Sequence, residues 1–288
     1  MAISAIYLHG GPGMHPESER HLLYEPLRRN GIDTAFWTEP SALRPESGAF
    51  DADAAWQNSL ASAERMLLDD GRRGPTTIIA HSFGAHIALR LAARHVHRVR
   101  AVILAAPTLD LGATDQTILR IAEEDFARAG DDRARALAAF RSERSAGFDD
   151  GAEAAFALAL ADPHIFDSYW IDGAKMAAYF SYWSDPRHGF DFDAFCAVRR
   201  TFDHLPLPAV AMPVLLILGR NDRIISNDAT AATVARLAAR HEVVVYDDAA
   251  HYPHVEHPER FAADVARFVS SHAVDRSPNA TALSSQHA

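Results

Sequence analysis

A single cysteine, Cys196, occurs among 288 residues. One thiol cannot close an internal disulfide or supply the paired sulfurs of a zinc ribbon, and its isolation fits a reducing compartment such as the cytoplasm. Long apolar runs are missing too. Stretches such as Ala101–Ala106 and Val214–Leu218 fall far short of the roughly 20 residues that span a bilayer. Met1–Tyr7 has no basic region and no cleavage site, and runs straight into His9-Gly10-Gly11, so it reads as a strand rather than a signal peptide. Without a secretory signal, the acceptor triplet Asn279-Ala280-Thr281 carries no weight.

Positive charge is scarce: 28 Lys and Arg face 38 Asp and Glu, a formal charge of −10, with no basic stripe. That argues against nucleic acid and anionic membranes as partners and leaves a small molecule as the expected one. The 16 histidines are scattered. No His-Glu-x-x-His helix and no Cys/His cluster gathers them, so neither metal nor cofactor is expected.

What is present is alternation of buried strands and helices. Continuous apolar runs at Ala5–His9, Asp33–Thr38, Thr76–Ala80 and Ala101–Ala106 suit strands covered on both faces of a parallel sheet. Trp56, Leu60, Ala63 and Leu67 repeat at helical spacing between them, as do Ile87 and Leu91. Pro26 interrupts Leu22–Leu27 and predicts two short helices or a kink ending at Gly31. After Asp110 the texture turns Ala- and Arg-rich, then aromatic, with no convincing strand signal. Alternation resumes with Val214–Leu218, a helix carrying Val234 and Leu237, Glu242–Tyr246, and a last helix entered through Pro258 with Phe261, Val265, Phe268 and Val269 on one face. Residues 275–288 are polar and aperiodic, as a disordered tail would be.

Ala80-His81-Ser82-Phe83-Gly84 falls where a buried strand turns into a helix. A sharp turn there strains the Ser82 backbone and lifts its hydroxyl clear of the sheet, and the crossing of strand and helix needs small residues at positions 80 and 84. Taken alone, Ser82 could simply cap the helix. Its companions point to chemistry. His9-Gly10-Gly11-Pro12-Gly13 follows the first strand, so an N–H of this glycine loop, with that of Phe83, could form an oxyanion hole, although a plain Gly-Pro turn would look the same. Asp222 and His251 each follow a late strand, and the order Ser82, Asp222, His251 is that of a triad in which His251 takes the serine proton and Asp222 orients the imidazole. His254 and His257 lie further toward the last helix and read as surface or capping residues. Cys196 lacks a paired base and reads as an incidental thiol, and Glu123, Glu124 and Asp125 as a solvated helix face.

These residues together resemble the α/β-hydrolase superfamily along nearly the whole chain. His9-Gly10-Gly11-Pro12-Gly13 is similar to the oxyanion loop of the proline iminopeptidase branch, and His251-Tyr252-Pro253-His254-Val255-Glu256-His257-Pro258-Glu259-Arg260-Phe261 to the superfamily's histidine loop and final-helix entry. The resemblance implies an α/β fold with a mostly parallel sheet, helices on both faces, a core of residues 1–107 and 209–274, and a helical cap at 108–208. It implies catalytic roles for Ser82, Asp222 and His251, with Gly11 and Phe83 as oxyanion donors. The cap aromatics Trp170, Tyr179, Tyr182 and Trp183, with His9 and His81, would line the substrate pocket, unless the aromatics pack within the cap. Many members open with a β-hairpin; here the His-Gly strand starts almost at Met1, so about six strands are expected and one edge is left for cover or for a second copy. The branch also tends to carry Gly-Gly-Ser-Trp-Gly where this chain has Ala-His-Ser-Phe-Gly.

The function expected is hydrolysis of a small ester, amide or thioester through an acyl-enzyme. Alternatives on the same fold are a proline iminopeptidase-like aminopeptidase, a carbon–carbon bond hydrolase, and a biosynthetic lyase or cyclase. A non-catalytic binding protein is the reading outside enzymology.

Overall fold

The computed structural model describes residues 2–44, 46, 48–69, 74–143 and 147–272, so the tail at 275–288 lies outside the described residues. Six strands form one sheet: β1 (Ile3–Leu8), β2 (Ile32–Phe36), β3 (Thr76–His81), β4 (Val99–Ala105), β5 (Val214–Gly219) and β6 (His241–Tyr246). They lie in the order β2-β1-β3-β4-β5-β6, and every pairing is parallel. The chain steps outward from β1 to β2 and then returns to the other side of β1 with β3. The loops leaving β1 and β3 therefore diverge, which opens a crevice at the carboxyl ends of the strands.

Strand alternation divides the core in two. Ile6, Leu8, Ile78, Ala80, Val102, Leu104 and Leu216 face one side, packed by α2 (Ala55–Leu68), α3 (Gly84–Arg94) and α9 (Asn227–Leu237). Ala5, Tyr7, Ile79, Ile103, Leu215 and Ile217 face the other, against α1 (Glu17–Arg29) and α11 (Pro258–Ser271). Phe261, Val265, Phe268 and Val269 of α11 are all at 0 % exposure. Burial of each such side chain contributes roughly 1.5–3 kcal/mol.

The pair of short helices expected around Pro26 does not form. α1 runs unbroken through Pro26. The proline sits in the last turn, where it removes a single hydrogen bond, and its own carbonyl still accepts from Asn30 N–H at 3.3 Å; the chain leaves the helix at Gly31, φ +76°.

Between β4 and β5 the chain forms α4 (Leu111–Arg128), α5 (Arg133–Glu143), α6 (Asp150–Leu160), α7 (Gly173–Ser181) and α8 (Phe192–Thr201), with no strand among the described residues there. Aspartates start four of them: Asp110, Asp149, Asp172 and Asp191 accept backbone N–H bonds at the N-termini of α4, α6, α7 and α8. Leu119, Phe126, Leu137, Phe156 and Phe195 give this segment a core of its own. α8 also belongs to the sheet side: Ala197 and Val198 join that core, and Trp56 N–H donates to Thr201 Oγ1 at 3.0 Å. The short α10 (Pro253–Glu256) precedes α11.

Candidate active site

Ser82 sits between β3 and α3 with φ +50°, a left-handed conformation that costs a non-glycine residue about 1–2 kcal/mol. Backbone bonds on both sides hold it: Ser82 N–H donates to Ala105 O at 3.1 Å, and its carbonyl accepts from Ala85 N–H at 3.2 Å and Thr108 N–H at 3.3 Å. Gly84 is required by close approach, since a Cβ there would lie 2.6 Å from the carbonyl oxygens of Leu8 and His9. Ala80, which stands where glycine is commoner, is fully buried without disturbing the turn. The hydroxyl does not cap the helix: α3 has no side-chain cap, and Ser82 Oγ lies 3.1 Å from His251 Nε2.

His251 Nδ1 is 2.8 Å from Asp222 Oδ2. Because a carboxylate only accepts, Nδ1 carries the hydrogen, and the Nε2 lone pair is left facing the serine hydroxyl. The other carboxylate oxygen of Asp222 accepts from Ile224 N–H at 2.8 Å and Ile225 N–H at 3.2 Å. Both side chains are shielded from water, at 1 % and 0 % exposure. Ser82, His251 and Asp222 thus come together in one hydrogen-bonded line from three different loops.

The loop after β1 lies over the same place. Gly11, at φ +114°, shares a cavity with Ser82 and His251. Phe83 precedes the first turn of α3, where helix N–H groups have no intrahelical acceptor. Two buried polar side chains fix this loop. Glu39 accepts Gly13 N–H at 2.6 Å, and Arg44 donates to the carbonyls of Met14 and Gly13, each at 3.1 Å.

The cavity has a volume of about 100 Å³ and is mainly apolar, with Leu111, Ile118, Phe156, Phe190, Phe195 and Ile224 among its walls. His81 and Trp183 line it. His9, Trp170, Tyr179 and Tyr182, expected beside them, do not. His9 stacks on Trp37 at 4.9 Å, Trp170 stacks on Tyr252 at 4.2 Å, Tyr179 is fully buried against Glu19, and Tyr182 stacks on His21 at 4.5 Å. Aromatic packing claimed these rings. Tyr169 and Tyr252 line the cavity instead, and both adjoin His251 in space, with ring centroids 5.3 and 5.9 Å away. The wall contains the ion pair Asp115–Arg199, bidentate at 3.0 and 2.6 Å. Their side chains are 1 % and 5 % exposed.

Behind the serine lies a second polar cluster. His254, expected as a surface or capping residue, is fully buried, with Nε2 2.9 Å from the Tyr7 hydroxyl; α10 turns it inward against His81 and Phe261. Burial pushes the imidazoles of His254 and His9 down to about 3 and that of His81 well below its ordinary range. His81 donates from Nε2 to the His251 carbonyl at 3.0 Å. Glu19 accepts from the Tyr179 hydroxyl at 3.0 Å, and burial pushes its carboxyl up to about 7. Glu19, His81 and His254 have potential ligand atoms within 4.8 Å of one another, as do the less buried His15, Glu17 and His188. These two sets are where a metal could be held among the described residues. Cys196 is buried and its thiol is pushed up to about 12, chiefly by desolvation, which suppresses its nucleophilic form.

A family model for the alpha/beta hydrolase fold matches residues 47–258. Comparison with curated protein sequences gives no match. Solved structures similar to the chain include a serine hydrolase involved in carbazole degradation, CarC, at 16 % identity, TM-score 0.61, covering 94 % of this chain and 91 % of the other. An esterase from Exiguobacterium antarcticum superposes at 14 % identity and TM-score 0.59, covering 94 % and 92 %. An epoxide hydrolase from Bacillus megaterium does so at 16 % identity and TM-score 0.56, covering 94 % of each. At such identities the likeness establishes a shared fold and leaves the reaction to the site.

Proposed function

Because the chain belongs to the α/β-hydrolase fold family, we propose that it is a serine hydrolase that cleaves a small, uncharged ester, amide or thioester through an acyl-enzyme. The observation that carries this reading is the line Asp222–His251–Ser82, at 2.8 and 3.1 Å, with the serine on a strained turn in the wall of an apolar cavity.

Ser82 Oγ attacks the substrate carbonyl carbon as its proton passes to His251 Nε2, and Asp222 stabilises the resulting imidazolium. The N–H groups of Gly11 and Phe83 hold the negative oxygen of the tetrahedral intermediate. Collapse expels the leaving group, which takes the proton from His251. Water then attacks the acyl-serine with His251 as base, and the acid departs. The inserted helices α4–α8 act as a cap whose aliphatic and aromatic side chains receive the acyl group.

The polar wall of the cavity bears on the aminopeptidase alternative. A substrate ammonium needs a carboxylate to pair with, and Asp115 in that wall is already engaged bidentately by Arg199. An uncharged acyl chain suits the remaining surface. p-Nitrophenyl butyrate should be turned over and Ser82→Ala should abolish the turnover; proline p-nitroanilide should not be cleaved. Unchanged butyrate hydrolysis by Ser82→Ala would reject the reading.

A further inference from the structure

Two buried charges stitch the loops that carry the site to the inserted segment. Glu256, 5 % exposed, accepts Ala250 N–H through one oxygen at 2.7 Å. Its other oxygen accepts Ile171 N–H at 2.8 Å and Asp172 N–H at 3.1 Å. Ala250 immediately precedes His251, whereas Ile171 and Asp172 lead into α7. The same junction is closed by His251 N–H on the Tyr169 carbonyl at 3.0 Å and by Tyr252 stacked on Trp170. Arg44, at 0 % exposure, does the reverse with carbonyls. It bonds Gly13 and Met14 on the core side, and Arg187 at 2.7 Å and Gly189 at 2.9 Å on the inserted side. Asp191 N–H on the Gly13 carbonyl at 2.7 Å lies alongside.

An anion gathering N–H groups and a cation gathering carbonyls each bond backbone on both sides of the junction, so they act as cross-links between segments distant in sequence. Burying such charges is unfavourable unless every bond is made. We propose that Glu256 and Arg44 are positioning residues: Glu256 sets the place of His251, and Arg44 the place of the Gly11 loop, each by reference to the inserted segment. The consequence is that the arrangement of the cap and the competence of Ser82 are coupled. This rests on the serine-hydrolase reading for its effect on rate, but the coupling itself is a statement about structure.

Glu256→Gln keeps size and one acceptor oxygen but sets an amide NH2 against a backbone N–H. Arg44→Gln loses the reach to carbonyls on both sides. With folding verified by circular dichroism, each is expected to lower kcat for p-nitrophenyl butyrate by about tenfold or more, with KM changed less than about threefold, because misplacement of a catalytic group acts on the chemical step. The rate constant for fluorophosphonate labelling of Ser82 should fall in parallel. Folded variants that label and turn over at the parent's rates overturn the proposal. Should neither variant fold, amide exchange in the parent decides: Ala250, Ile171 and Asp172, held by one carboxylate, are expected to exchange in a common opening, and rates spread over more than about tenfold would contradict the coupling. A parent chain whose Ser82 does not label at all counts against the hydrolase reading, and the exchange measurement still judges the stitching.

Discussion

Glu19 shows how burial writes itself into pH dependence. In the folded chain its carboxyl holds a proton up to about 7, because desolvation outweighs the hydrogen bonds from Tyr179 and Tyr7; in the unfolded chain it ionises near the ordinary glutamate value of 4.5. Between those values the folded form binds more protons, so its stability declines as pH rises through the window. The loss is on the order of 3 kcal/mol for one such group. Glu39, pushed up to about 7 mainly by burial, acts in the same direction. The buried histidines His9, His81 and His254 act oppositely, because their neutral folded forms make stability fall as pH drops below their ordinary range. Urea unfolding of Glu19→Gln beside the parent isolates the first effect. The variant should gain on the parent from pH 5 to about pH 7 and level off above it; a difference independent of pH would mean that Glu19 is ionised in the folded protein throughout.

At the scale of elements, what the sequence made legible was local. A strand, a turn and a helix put Ser82 on the elbow, and Asp222 and His251 follow strands whose runs are short and continuous, so six strands and three polar residues could be found from spacing. The inserted helices were less legible because their role is decided by packing between residues far apart. Trp170 and Tyr179 carry the right chemistry for a pocket, yet Tyr252 and Glu19 engage them elsewhere. Tyr252 stood in the histidine loop already singled out, so adjacency to His251 was the available signal. Glu256 stood in the same loop, but neither it nor Arg44 showed its role there, since each acts on backbone atoms of segments far away in sequence. Pro26 misled because position within a helix, not presence, decides its effect.

Two substitutions probe elements directly. Phe268→Ala should cost about 3–5 kcal/mol of unfolding free energy, since α11 shares with α1 the cover of one face of the sheet and that ring is at 0 % exposure; a loss under about 1 kcal/mol would show the helix docked loosely. Asp115→Ala should cost about 3–5 kcal/mol by leaving Arg199 charged and buried without its bidentate partner. A neutral outcome in the same unfolding assay would mean that Arg199 reaches water.

For the molecule as a whole, the sheet and the insertion do different work. β1, β3, β5 and β6 deliver the Gly11 loop, Ser82, Asp222 and His251 to one end of the sheet, and the inserted helices close an apolar cavity over that end. Among the described residues no helix is long and apolar enough to cross a membrane. Asp222→Asn would preserve the shape of this arrangement while letting the side chain donate to His251, favouring the wrong tautomer; a loss of kcat on the order of 10⁴ is the expected outcome for p-nitrophenyl butyrate, and a loss under tenfold would remove Asp222 from the triad. The most direct measurement is intact-mass analysis with peptide mapping after treatment with a fluorophosphonate. The account predicts one adduct, on Ser82, absent from Ser82→Ala and from His251→Ala. A folded parent chain that takes up no adduct, or takes it up at another residue, would contradict it.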